Sequence, residues 1–423
     1  MIGVQTPQPT DGVELFLAGD EGILFDKVGQ RVFRLNSFAS CIWCHIEDGL
    51  EAEAVVGAAA RSMHLEPTRA RPFVFDMLKK WQHLGLLRGA NAPPPVIRDG
   101  LPTVPWQPPA APAFVPEFIV KPGRWQYQML GTIFSLGFSN SALEAIVHSV
   151  LAHLETDEVA PNPCRLDLVE TAGQVHLLQD GRVLGSCAAR HGLAPLVQGN
   201  VGLLALRRYS YLMALHAAGL VAPEGVLLIA GRKGSGKTTL AAALLAASWR
   251  YLSDDTILLH AQTLDAVGVP YSLGIKAGAW PLLAELYPSL DRTAVHRRED
   301  GEVIRYLCPP RENYARPRSV RWIAFPTRSA NSRSTIRQLT QLEGLQRIFE
   351  HCCAIPRCLT HDDVRSLIQW SGGIGFFEIA VADLNSATAQ LHMITAEGCS
   401  DAAARPNLPL LANSLKPQRR SIL

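Results

Sequence analysis

Eight residues in mid-chain, Gly231-Arg232-Lys233-Gly234-Ser235-Gly236-Lys237-Thr238, have the types and spacing of a loop that cradles phosphate. Glycines at 231, 234 and 236 let the backbone curl until its amides converge on an anion. The ammonium of Lys237 is placed to meet β- and γ-phosphates, and the Thr238 hydroxyl to bind Mg²⁺. Both flanks agree. Gly225 to Ala230 is an apolar run of buried-strand length, and Thr239 to Ser248 reads as an Ala- and Leu-rich helix. The N-terminus of that helix adds a partial positive charge. The expected ligand is ATP with Mg²⁺, contacted by Gly231, Gly234, Ser235, Gly236, Lys237, Thr238 and Thr239.

Trp249 to Asp255 is a second strand-like run, and it ends in two carboxylates, Asp254 and Asp255. At the end of a strand following a phosphate loop, one acid can serve Mg²⁺. The other can take a proton from an attacking hydroxyl. The plain alternative is that either acid caps a turn. His216 lies in Leu215-His216-Ala217-Ala218-Gly219, beside a stretch (Leu196 to Leu215) that reads as helical. A lone histidine on an apolar helix is ordinarily a satisfied core residue.

These groups need elements to hold them. Val13 to Leu17, Gly22 to Phe25 and Arg31 to Leu35 are short strand-like runs separated by turn chemistry. Helices follow: one capped by Asn36 and Ser37, one from Glu51 to Met63, and one from Pro67. On the third, Phe73, Met77, Trp81 and Leu84 form an apolar stripe. Residues 13–90 are thus expected to be a small winged-helix α+β domain. Residues 91–116 hold nine prolines and predict an extended linker. Residues 117–396 alternate strands and helices as an α/β domain. Residues 397–423, with prolines and Lys416, Arg419 and Arg420, read as a disordered tail.

Composition narrows the function. The chain has 423 residues, 48% of them hydrophobic, and a formal net charge of +2, so nothing in its overall charge draws it to nucleic acid or an anionic membrane. No apolar run approaches the roughly 20 residues that span a bilayer. The N-terminal residues lack a secretory pattern, so a cytoplasmic protein is expected. Nine cysteines, an odd and scattered set, argue against a disulfide framework. Cys41 and Cys44 read as core packing. Cys352, Cys353 and Cys358 with His351 and His361 match no zinc spacing.

Residues 205–260 resemble the catalytic core of the HPr kinase/phosphorylase family, serine kinases built on a P-loop. The elements shared are His216, the loop Gly231 to Thr238, and the pair Asp254-Asp255, in that order. The resemblance implies an α/β HPr kinase-like P-loop kinase domain in which Lys237 and Thr238 are nucleotide and Mg²⁺ ligands. It implies Asp254 as the catalytic base, Asp255 as a metal-side carboxylate, and His216 as the neighbour of the base. Lys233 replaces a small hydroxyl residue of the family loop, and the Glu-x-Arg-Gly-x-Gly signature is absent from Val267 to Lys276. The reverse reaction and HPr as substrate are therefore not implied. Lys276 and Arg305 are candidates for the missing positive charge, with a surface role as the alternative.

Residues 13–88 are similar to PqqD-like peptide-recognition domains, through Gly22 to Asp26, Arg31 to Asn36, Ile42-Trp43 and Leu84 to Leu87. Such domains add a peptide as a strand at a sheet edge. That edge would be Arg31 to Leu35, near Lys79 and Lys80. Together the resemblances predict a kinase for a Ser or Thr hydroxyl of a ribosomally made precursor peptide held by its leader. Neither nucleic acid nor membrane is expected as a partner, and self-association is left open. The rivals are a small-molecule or protein kinase with a regulatory N-terminal domain, and a nucleotide-sensing DNA-binding regulator.

Overall fold

The computed structural model describes residues 6–88 and 123–401, apart from 331 and 352. The linker expected at 91–116 and the tail beyond 401 lie outside the described residues.

The N-terminal unit opens with three antiparallel strands, β1 (Val13–Ala18), β2 (Glu21–Asp26) and β3 (Arg31–Leu35), in spatial order β1-β2-β3. The β2–β3 turn is fixed by Asp26. Its carboxylate accepts from the amides of Val28 (3.1 Å) and Gly29 (2.9 Å) and pairs with Arg31 at 2.6 Å. Three helices follow: α1 (Ser37–Glu47), α2 (Ala52–Ser62) and α3 (Pro67–His83). Asn36 caps α1 by accepting from the Ala39 amide at 2.9 Å.

The buried stripe of α3 is Ala70, Val74, Leu78 and Trp81, whereas Phe73 is 65% exposed. The expected stripe shares only Trp81 with it. Trp81 packs edge-on against Trp43 of α1, with ring centroids 5.1 Å apart. With that anchor set, the small Ala70 and Val74 face inward and let α3 approach α2 closely.

Period-two alternation divides this small sheet between two cores. Leu15, Leu24, Phe33 and Leu35 pack on the three helices. Phe16, Ile23 and Phe25, with Ala18 and Val32, join a core of the larger unit. Polar contacts reinforce that join: Glu14 pairs with His361 (2.9 Å) and Arg365 (3.1 Å), and Gln30 exchanges two hydrogen bonds with the backbone of Leu359. The N-terminal unit is docked as well as linked.

The larger unit begins with β4 (Trp125–Met129), β5 (Thr132–Phe138), α4 (Ser141–Leu151), β6 (Cys164–Thr171), β7 (Gln174–Gln179), β8 (Arg182–Cys187) and α5 (Leu193–Leu206). Its five strands run in chain order; α4 bridges the one parallel pair, β5 and β6. The central strands come next: β9 (Tyr211–Ala222) and β10 (Gly225–Ala230). After α6 (Lys237–Ala246) follow β11 (Arg250–Ser253), β12 (Thr256–His260) and β13 (Ala266–Gly268). A three-stranded sheet is made from β14 (Leu273–Lys276), β15 (Val295–Arg297) and β16 (Val303–Leu307), with the short α7 (Trp280–Leu283) between β14 and β15. The chain then runs through β17 (Val320–Arg328), β18 (Thr335–Leu339), α8 (Gln341–His351), β19 (Cys353–Ala354), α9 (His361–Gly372), β20 (Gly375–Val381) and α10 (Leu384–Asp401).

The nine-stranded sheet has the path β13-β12-β9-β10-β17-β20-β18, with β11 and β19 also paired to β9. Helices α6 and α10 cover one face, and α8 and α9 the other. Two expectations are corrected here. The helix expected through Leu215 stops at Leu206, so His216 stands on a strand. The last helix continues to Asp401, past the boundary expected at 396. Among the described residues no helix is long and apolar enough to cross a membrane.

Helix α8 lies so close to β20 that a Cβ on Gly344 would sit 2.1 Å from the Phe376 ring. Gly344→Ala therefore has to push α8 off the sheet, with an expected loss of about 1–3 kcal/mol in chemical denaturation.

Candidate phosphoryl-transfer site

Strand β10 is buried along its whole length, held by antiparallel β9 on one side and parallel β17 on the other. It delivers the loop 231–238 to the sheet's edge facing solvent. Gly234 (φ +86°) and Gly236 (φ +97°) adopt backbone conformations that side-chained residues avoid, and Gly236 caps α6. Lys237 folds back over the loop. Its Nζ donates to the carbonyls of Gly231 (2.8 Å) and Arg232 (3.1 Å), and the residue is only 6% exposed. The Ser235 hydroxyl is buried and makes no hydrogen bond to the protein. Thr239 continues the first turn of α6.

The two acids stand directly beyond β11. Ser253 sets the bend there: its hydroxyl donates to the Val269 carbonyl (2.6 Å) and accepts from the Thr256 amide (3.3 Å). The acids then diverge. Asp254 is buried and hydrogen-bonded to the Thr238 hydroxyl, the Tyr251 hydroxyl (3.4 Å) and the Gly274 amide (3.4 Å). Burial, and then the charge of Asp255, push its carboxyl up from 3.8 to about 7, despite those hydrogen bonds.

Asp255 is half-exposed and faces His216, whose Nδ1 lies 3.3 Å from its carboxylate and 3.1 Å from its backbone carbonyl. Thr256 donates to the same carboxylate at 3.1 Å. Burial pushes this carboxyl up, but the His216 hydrogen bond and charge outweigh it and hold it below the usual value. Strand pairing makes the meeting possible, because His216 is in register with Thr256. The loop 231–238, Asp254, Asp255 and His216 converge on one end of the sheet.

One contribution was not foreseen. The turn between β15 and β16, closed by Gly301 (φ +82°), brings acids over the loop. Asp300 pairs with Lys233 at 2.6 Å and lies 3.8 Å from Arg298, and Glu302 pairs with Lys276 at 2.9 Å. The charged run Arg297 to Glu302 around a glycine was the available signal for a hairpin tip. Lys276 therefore sits beside the loop, neutralised. Arg305 lies elsewhere, over the Trp280 ring at 4.2 Å and paired with Asp291 at 2.7 Å.

Whether nucleotide and Mg²⁺ fit can be judged from the donors. Curled loop amides, a buried ammonium and an orphaned Ser235 hydroxyl suit a polyphosphate. The Thr238 and Asp254 oxygens suit Mg²⁺, which binds through one or two protein oxygens plus phosphates and water. Among the described residues there is no group of three or more His, Cys, Asp or Glu side chains that could hold a metal by itself. Cys41 and Cys44 are free and partly buried; Cys352 lies outside the described residues.

The burial of Asp254 has a measurable consequence in metal-free protein. Its folded-state value exceeds the unfolded one, so the folded chain binds the extra proton between about pH 4 and 7. Stability falls as pH rises through that window, and the penalty is complete above it. Asp254→Asn is expected to be more stable at pH 8 by roughly 2–4 kcal/mol, with the gain vanishing near pH 4, in denaturant titrations with a chelator.

No protein-family profile matches this chain, and no curated protein matches it. Solved structures do match part of it. One, titled "TbiB1 in Complex with the TbiA(beta) Leader Peptide", is similar at 24% identity over 19% of this chain and 95% of its own length, with a TM-score of 0.19.

Proposed function

We propose that this chain is an ATP-dependent kinase that phosphorylates a Ser or Thr hydroxyl of a precursor peptide, held through its leader by the N-terminal unit. One observation carries the reading: a buried loop lysine and the Thr238–Asp254 contact lie beside an exposed Asp255–His216 pair. Bound ATP·Mg²⁺ would supply the phosphoryl group and the cation that spreads its charge. Lys237 meets the β- and γ-phosphates, and Thr238 with Asp254 holds the metal. Asp255, open to solvent and steadied by His216, accepts the proton of the attacking hydroxyl.

This allocation exchanges the roles first expected for the two acids. A carboxylate sealed against Thr238 is positioned for the metal, whereas a base has to reach the substrate. The peptide side of the proposal rests on β3, which ends the sheet order β1-β2-β3 and offers an edge for an added strand.

The test is transfer of label from γ-labelled ATP by the full chain to Ser- and Thr-containing peptides, with phosphoserine or phosphothreonine identified by mass spectrometry. Label appearing only on small hydroxylated metabolites, or a salt-dependent shift of duplex DNA without any transfer, would replace this reading.

A further inference from the structure

A cleft of about 690 Å³ opens between the N-terminal unit and the phosphate loop. Its walls are Arg34 of β3, the leading half of the loop from Gly231 to Ser235, the end of β17, and the face of α8 that carries Gln346. That volume is within the usual range of ligand sites. The loop wall also faces the nucleotide, whereas the walls from β3, β17 and α8 have no part in the proposed handling of it.

The position of the cleft along the nucleotide follows from Lys237. Its ammonium marks the β,γ end of a bound triphosphate, and it rests on the carbonyls of Gly231 and Arg232, both in the cleft wall. Thr239, further into α6, lines none of it. The cleft therefore meets the γ-phosphate rather than the nucleoside. It also leads toward the base. Lys233 in the wall pairs with Asp300, Asp300 neighbours Arg298, and the charge of Arg298 acts on Asp255.

The opposite wall identifies the visitor's shape. Arg34 belongs to the edge strand β3 and lies on the same face as Val32, which packs toward the larger unit. A chain that adds to β3 thus has the cleft mouth beside it.

We propose that this cleft is the acceptor subsite, taking an extended peptide segment that passes from the β3 edge to the γ-phosphate. The proposal rests on the kinase reading above and adds the route. The acceptor then travels along a built wall between two docked units.

The experiment uses the full chain and a pool of synthetic peptides, each with one central Ser. Gln346 is exposed on α8, so Gln346→Trp fills the cleft without disturbing a core. Labelling of the pool by this variant is expected to fall about tenfold or more, through KM. Its affinities for ATP·Mg²⁺ and for tripolyphosphate, read by calorimetry, stay unchanged. Undiminished labelling by Gln346→Trp overturns the cleft assignment and leaves the kinase reading intact. Weakened ATP binding with normal tripolyphosphate binding overturns it in favour of a nucleoside occupant. A wild-type chain that binds ATP yet labels no peptide removes the peptide-kinase reading, and this route with it.

Discussion

Lys237→Ala should eliminate the proposed phosphoryl transfer in a protein that still folds. The ammonium is buried at the mouth of the loop and bonded to two of its carbonyls, so no neighbouring cation can take its place. Lys233 is the nearest candidate by sequence, but Asp300 holds it at 2.6 Å. A preorganised charge at a developing anion is worth about 10²–10³ in rate, and here nucleotide affinity falls as well. Label transfer should therefore drop below detection, with the thermal transition within a few degrees of wild type. Undiminished transfer would remove the loop from the mechanism.

The second large effect separates the two acids. Asp255→Asn should lower kcat by about 10²–10⁴ with the affinity for ATP·Mg²⁺ retained, the signature of a lost general base. Asp254→Asn should instead weaken Mg²⁺-dependent nucleotide binding, because it alters the carboxylate bonded to Thr238. His216→Ala, acting through Asp255, should give the smaller defect, with the pH–rate profile displaced toward higher pH as that carboxylate loses the partner that lowers it. Steady-state kinetics with separate nucleotide titrations resolve the three. The opposite pattern, a turnover defect at Asp254 and a metal defect at Asp255, would restore the roles first expected.

The loop was legible because its chemistry needs contiguous residue types: three glycines, Lys237 and Thr238 announce themselves between a strand and a helix. The acid pair was legible for the same reason. Its division of labour was not, because the side to which each carboxylate turns depends on the bend at Ser253 and on the pairing of β9 with β12. The element carrying His216 was misread because β9 is buried on both faces, and such a strand shows no period-two alternation. On α3 two apolar stripes shared Trp81, and packing against Trp43 chose between them. The acids at 300 and 302 reach the loop across a hairpin some seventy residues away along the chain, beyond any local pattern.

The double-faced burial of the N-terminal sheet bears on how such proteins can be recombined. Phe16 and Phe25 give that face its bulk, and they are seated among residues of α8 and α9. Residues 13–88 transplanted onto a foreign catalytic core would carry a bare apolar sheet face into solvent. The larger unit produced alone would expose the matching surface. Chimeras should therefore exchange the small sheet together with α8 and α9 as one cassette. Inherited together, substrate choice and catalysis would change by mutation along a shared seam more readily than by shuffling of modules.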